Sequence, residues 1–179
     1  MNHFVHPTSI IEEGARVEEP VVIGHFCFVQ KGAVVRKGAK LKDGITIWDK
    51  VTIGEDVFVG PSAVFTNDLT PRAFERKGPA GWKETHVERG ASIGANAVIL
   101  PVTIGQYAAI AAGAVVTRDV PAHAMVRGNP AQIVGYVCKC KDWGRLVVGE
   151  ADCKCEACGL TYPELLETVR EFSKKPRGR

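Results

Sequence analysis

Five of the six cysteines lie between Cys138 and Cys158, so thiol chemistry is concentrated in one short stretch of the chain. In a reducing compartment, sulfurs gathered this closely point to a metal site ahead of disulfides, which stay the alternative. The five histidines are more scattered. His3, His6 and His123 stand near the ends of the patterned region and read as surface residues, and His86 closes an irregular segment and reads as a solvated loop residue. Asn67 begins that segment, in VFTND. Its amide offers an acceptor to an amine N–H and donors to other groups, but it is no base at neutral pH. A corner Asn that caps its own turn is the other reading. Asp68 is an alternative acceptor, expected to face water. Arg72, Arg118 and Arg127 are of the type that binds phosphate, or else solvated rim charges.

These side chains must be held by elements that 179 residues can build. That length suits one domain with a small appendage, and 45% hydrophobic with 24% charged residues suits a packed core. Aromatics are only 7%, while 19 Gly and 23 Val favour short extended segments and turns over helical bundles. A net charge of +3 is too small to suggest nucleic acid, and the basic cluster Lys174 to Arg179 reads as a solvated tail. The N-terminal stretch has neither the basic nor the apolar region of a signal peptide. The longest run free of charges and amides, Tyr107 to Val116, is half of the roughly twenty residues a membrane span needs. A soluble, cytoplasmic chain is expected.

A period of six organises the chain. Ile11, Val17, Ile23, Val29, Val35, Leu41, Ile47, Ile53, Val59 and Phe65 follow one another at six-residue steps, and all are large and apolar. The fourth residue after each is small or apolar, as at Ala15, Cys27, Ala33 and Ala63. Six fits neither the 3.6 of a helix nor the alternation of a plain strand. It fits a chain that turns a corner every six residues, three sides closing a triangular coil and successive coils stacking as parallel sheets. A residue then lies over its counterpart eighteen positions earlier, Val29 over Ile11 and Ile47 over Val29. The phase breaks after Phe65 and resumes at Val87, so residues 66–86 form a loop thrown out from a corner. The step from Ile99 to Ile104 is five, one corner being a residue short at Pro101.

The segments IGANAVIL and IGQYAAIAAGAVVTRDVPAHAMVRGNPAQIVG resemble the end of a hexapeptide-repeat acyltransferase. HPTSIIEEGA, GHF, VFVGPSAVFTND, PRAFERK and GASIGANA are similar to N-acetyltransferases acting on nucleotide-linked 3-amino sugars. The UDP-2-acetamido-3-amino-2,3-dideoxyglucuronate and dTDP-3-amino-3,6-dideoxyhexose enzymes are among those the chain resembles. The likeness covers residues 4 to 137. It implies a left-handed parallel β-helix, assembled as a homotrimer with acetyl-CoA between adjacent subunits. It implies Asn67 as the catalytic residue touching the amine, with the leaving sulfur taking the proton. His25 matches the His of a WHF segment and is implied in the substrate groove, although Gly24 replaces the Trp. Arg72 would reach the sugar or its phosphates. Ala95, Ala112 and Gly113 would let the pantetheine arm approach the backbone, and Arg118 and Arg127 would lie near the cofactor. Ala111 stands where relatives often carry Gly.

Residues 138–159, CKCKDWGRLVVGEADCKCEACG, resemble a zinc ribbon. Cys138, Cys140, Cys155 and Cys158 would make a closed structural zinc site, with Cys153 and Cys155 a weaker alternative pair. The expected organisation is an all-β chain: a β-helix acyltransferase domain at 1–137, a zinc-ribbon-like module at 138–162, and a short helix with the basic tail at 163–179. Pro163 can open that helix, with Leu165, Val169 and Phe172 on one face. The expected activity is acetyl transfer from acetyl-CoA to a nucleotide-linked amino sugar, for surface polysaccharide or glycan precursors. Alternatives are an O-acetyltransferase on another small acceptor and a non-catalytic β-helix presenting the ribbon. A carbonic anhydrase of the same architecture needs a pair of histidines five residues apart, which is missing between His86 and His123.

Overall fold

Strands of two residues are the unit of this chain, each turning one side chain outward and the next inward. The structure, a computed structural model, describes residues 2–75, 77–149 and 152–174. Residues 175–179, most of the expected basic tail, lie outside them.

The first turn consists of β1 (Phe4–Val5), β2 (Ile10–Ile11) and β3 (Arg16–Val17). The second holds β4 (Val22–Ile23), β5 (Phe28–Val29) and β6 (Val34–Val35). The third holds β7 (Lys40–Leu41), β8 (Thr46–Ile47) and β9 (Val51–Ile53). The fourth holds β10 (Phe58–Val59), β11 (Val64–Phe65) and β12 (Thr85–Val87), and the fifth β13 (Ser92–Ile93), β14 (Val98–Ile99) and β15 (Thr103–Ile104). A sixth has β16 (Ala109–Ile110), β17 (Val115–Val116) and, as its third side, only the bridge between Ile104 and Val120. β18 (Ala124–Arg127) opens a seventh.

Like sides pair in parallel into three sheets. β1-β4-β7-β10-β13-β16-β18 form the first, continued by the antiparallel β19 (Gln132–Tyr136). The second is β2 to β17 and the third β3 to β15, so the parallel β-helix expected from the six-residue phase is the fold. Ile11 pairs with Val29 and Val29 with Ile47, as the eighteen-residue spacing requires. From Ile23 to Val116 the inward series is at most 1% exposed. The first turn departs from this pattern: Ile11 is 37% exposed, because an end turn has a stacked neighbour on one side only. The third residue of many corners is left-handed, including Gly32 (φ 87°) and Gly44 (φ 69°), where glycine adopts that conformation without strain.

The second corner shortens up the stack. Its inward-to-inward step is six residues from Ile47 to Ile53, five from Ile99 to Ile104 and four from Val116 to Val120. Vertical neighbours are accordingly eighteen residues apart at Val22 and Lys40, seventeen at Ser92 and Ala109, and sixteen at Ala109 and Met125. The irregular segment leaves this corner after Phe65, and its last two expected residues, Thr85 and His86, belong to β12 instead. Pairing with Thr52 and Thr103 on either side draws His86 into the sheet, exposed on its outer face.

The cysteine-rich end packs on the last turn. β20 (Leu146–Val148) and β21 (Cys153–Cys155) form an antiparallel hairpin. A 3-10 turn at Pro163–Leu165 leads into α1 (Leu166–Lys174), which buries Leu165 and Val169 and sets Phe172 edge-on to Tyr136 at 5.6 Å. One column of rings ties this end to the stack. Tyr107 covers Gly90, whose absent Cβ would lie 2.4 Å from the ring. Tyr107 faces His123 at 5.2 Å and His123 faces Tyr162 at 4.9 Å.

Candidate functional site

The residues singled out in the β-helix sort onto two corners. His25, Asp43, Pro61, Ala95 and Ala112 form one column where the first sheet meets the second. It is laddered by Gly44 N–H to His25 O (2.8 Å), Ser62 N–H to Asp43 O (2.9 Å), Asn96 N–H to Pro61 O (3.1 Å) and Gly113 N–H to Ala95 O (2.9 Å). Turns meet closely here: a Cβ on Gly94 would fall 2.4 Å from Ala112 N. The corner is therefore a smooth strip of backbone at Ala95, Ala112 and Gly113, with exposed Arg127 at its top. At its lower end Asp43 Oδ1 accepts both the His25 backbone N–H (2.8 Å) and its Nδ1 (3.2 Å). The His25 backbone donor, then its ring, hold the Asp43 carboxyl below its usual range. The His25 ring also lies 3.6 Å from that of His6.

Asn67 stands at the other corner, where the second sheet meets the third. Its Nδ2 donates to Asp49 O at 3.3 Å, so half of the amide caps the turn below, while Oδ1 has no protein donor among the described residues. Asp68 does not face water freely. Its Oδ1 accepts from Lys77 Nζ at 2.9 Å and from the Thr70 N–H at 2.8 Å, and these contacts, Lys77 first, lower its pKa. Lys77 also donates to Thr70 O and Oγ1, and Lys83 N–H to Asn67 O at 2.8 Å, which pins both arms of the segment. Arg72 is exposed, and among the described residues its side chain has the Pro71 carbonyl within reach at 3.5 Å. Two turns above Asn67, Arg118 borders a cleft of about 370 Å³ under α1, with Val116, Gln132, Tyr136 and Phe172. The His86 ring Nε2 lies 3.0 Å from Glu84 Oε2.

The two groups lie at opposite ends of the second sheet, six residues of chain or up to about 20 Å apart. The structure thus brings His25, Ala95, Ala112, Gly113 and Arg127 to one corner, and Asn67, Arg72 and Arg118 to the other. Counting sides of the triangle from the six-residue phase would have separated them. The Asp43 partner of His25 is eighteen residues away and open to the same count. The Lys77 clamp carries no periodic signal.

At the cysteine-rich end the sulfurs of Cys138, Cys140, Cys155 and Cys158 all lie within 4.8 Å of one another, with 3.7 Å from Cys138 to Cys158 and 3.9 Å from Cys140 to Cys155. Zinc–thiolate bonds of about 2.3 Å set the edge of a tetrahedron at about 3.8 Å, so these four fit a dication. The Gly144 N–H, helped by that of Asp142, brings Cys140 down to about 7. The Leu160 N–H favours the Cys158 thiolate, but desolvation and the other three sulfurs push it up to about 12. Cys153 sits two residues along β21, roughly 7 Å from Cys155, and faces the core fully buried, so it is no member of the cluster.

Comparison with known proteins extends this picture. Residues 85–118 match the family described as the hexapeptide repeat of succinyl-transferase. The upper turns are hexapeptide repeats. Over 78 residues the chain is 49% identical to dTDP-3-amino-3,6-dideoxy-alpha-D-galactopyranose 3-N-acetyltransferase of Aneurinibacillus thermoaerophilus, which covers 43% of this chain and 41% of that protein. It is 46% identical over 63 residues to the 2,3,4,5-tetrahydropyridine-2,6-dicarboxylate N-acetyltransferase of Staphylococcus aureus, covering 35% and 26%. The chain spans less than half the length of these curated relatives. Among solved structures, WeeI from Acinetobacter baumannii AYE superposes with a TM-score of 0.62 at 25% identity, over 74% of this chain and 57% of that one. PerB from Caulobacter crescentus, in complex with CoA and GDP-perosamine, shares the fold with a TM-score of 0.61 at 23% identity, over 75% and 58%.

Proposed function

We propose that the chain is an acetyl-CoA-dependent N-acetyltransferase whose acceptor is the amino group of a nucleotide-linked amino sugar, a precursor for surface polysaccharide or glycan. The observation that carries this reading is the 49% identity to a dTDP-3-amino-sugar N-acetyltransferase. The two-cornered layout supports a homotrimer, because a groove using both sets of residues needs one corner from each of two copies. On this reading the thioester arm lies along Ala95, Ala112 and Gly113, with Arg118 and Arg127 near the cofactor phosphates, and His25 and Arg72 contact the nucleotide sugar. Acetyl transfer requires the amine to be aligned with the thioester and the tetrahedral oxyanion to be steadied. Asn67 Oδ1 accepts the amine N–H and so aims the amine's lone pair at the thioester carbonyl carbon, where the new nitrogen–carbon bond forms. The carbon–sulfur bond then breaks, and the leaving sulfur takes the amine's proton.

The four-cysteine site is read as structural zinc in a module at 138–162 attached to the β-helix domain at 1–137. No helix among the described residues is long and apolar enough to cross a membrane, which is compatible with work in the cytoplasm. The deciding experiment is CoA release across a panel of nucleotide-linked amino sugars. With the best acceptor, Asn67→Ala should lower kcat by about 10²-fold, the scale of a lost orienting or charge-steadying group, and His86→Asn far less. A crippled His86→Asn beside a near-normal Asn67→Ala would replace this mechanism with a histidine base. A monomeric mass in solution would remove the shared groove.

A further inference from the structure

Tyr162 is 4% exposed, and neither the acetyl-transfer site nor the thiolate set includes it. Its hydroxyl oxygen nevertheless lies 2.8 Å from Cys138 Sγ and accepts the Lys139 N–H at 3.2 Å. With Lys139 supplying a proton to the oxygen, the phenol's own hydrogen is free to point at the sulfur. Cys138 Sγ also receives the Cys140 N–H at 3.3 Å.

The ring of Tyr162 meets His123 edge-on at 4.9 Å. His123 is the left-handed residue (φ 62°) of the last corner of the stack, and it is buried. Its ring Nδ1–H donates to Val137 O at 2.9 Å. Its backbone N–H donates to Gln106 O at 2.8 Å, and its carbonyl accepts the Val137 N–H at 2.8 Å. A continuous line of contacts therefore runs from the sulfur of Cys138, through Tyr162 and His123, to the corner that closes the sixth turn.

We propose that Tyr162 is a positioning residue of the four-cysteine site, and the joint through which metal occupancy there tightens the end of the coil stack. This rests on the structural-metal reading given above. Four thiolates around a dication leave two negative charges in excess, and donors such as Tyr162 O–H and Cys140 N–H disperse them and fix the sulfur lone pairs. A bound metal fixes the position of Cys138 Sγ, so removing it loosens the sulfur that the Tyr162 hydroxyl is held against. The ring that His123 packs against is then less firmly anchored. The effect should reach the sixth turn and fade below it, since each turn touches only its neighbours.

The test uses the full chain purified without chelator. Elemental analysis comes first: absence of metal from the wild type sinks the structural-metal reading itself. If metal is present, cobalt(II)-exchanged wild type and Tyr162→Phe are compared. The variant should show a shifted sulfur-to-cobalt charge-transfer band and about 10- to 100-fold weaker retention against a competing chelator, the usual scale for an outer-shell partner. Hydrogen exchange supplies the second readout. Chelation of the wild type should speed exchange at the His123 and Val137 amides while β4 to β9 stay protected. His123→Phe keeps a ring against Tyr162 but loses the bond to Val137 O. It should keep the wild-type cobalt spectrum and show faster exchange at Val137. An unchanged cobalt band and affinity in Tyr162→Phe would overturn the positioning role. Should Tyr162→Phe fail to fold, the wild type still decides the coupling, because exchange at His123 and Val137 that ignores the metal would refute it.

Discussion

Thr85 is the one buried polar side-chain atom left without a partner among the described residues, its Oγ1 sealed at the start of β12. It pairs with Val51 of the turn below, so the hydroxyl occupies a position where the column elsewhere carries an apolar group. Burying an unpaired hydroxyl costs on the order of 1–3 kcal/mol, and a methyl group of similar size removes that cost. Thr85→Val is expected to raise stability by about 1 kcal/mol, read as a higher midpoint in denaturant at unchanged slope. His123 gives a pH dependence at the same scale. Burial, the main cause, lowers its pKa below 6.5, partly offset by the Val137 carbonyl and Glu164 and aided by Lys139. The unfolded chain therefore binds the proton first as pH falls. The contribution of a neutral His123 is complete above 6.5 and lost as pH drops toward the folded value. Stability measured from pH 7 down to 5 should fall in the wild type, and this part of the slope should vanish in His123→Phe.

The elements differ in how openly the sequence declares them. A two-residue strand has no propensity signal of its own, yet its inward partner recurs at Ile23, Val29, Val35 and Leu41, and burial at every sixth position made the stack legible. The paired cysteines were equally plain, because thiolates at knuckle spacing have few other uses in a reducing compartment. The segment between β11 and β12 was legible only as an interruption. What holds it, Lys77 against Asp68 and Thr70, depends on a loop folding back across nine residues, and no periodicity encodes that. The strand character of His86 was hidden for a related reason: its ladder partners Thr52 and Thr103 lie on other turns. The clamp has a consequence that can be checked. Lys77→Met should leave the thermal transition of the stack nearly unchanged while limited proteolysis between Leu69 and Phe74 speeds up several-fold. Equal cleavage rates would mean that the backbone bond from Lys83 to Asn67 holds the segment by itself.

At the scale of the whole molecule the stack and the cysteine-rich end share one apolar cluster but contribute to it in different ways. Turns from the second to the sixth bury an unbroken apolar interior, whereas the β20–β21 hairpin relies on four sulfurs and a few side chains such as Leu146. On the proposed structural-zinc reading, metal removal should split unfolding into two steps. Circular dichroism of chelated protein is expected to keep the β-helix signal while the hairpin and α1 lose protection, and a single cooperative collapse would contradict that separation. The shortening second corner bears on the direction of such a stack. With steps of six, five and four residues, the perimeter of the coil contracts as the chain ascends. Turns at different heights are therefore not interchangeable, and the contraction gives the stack a direction that a run of identical repeats would lack.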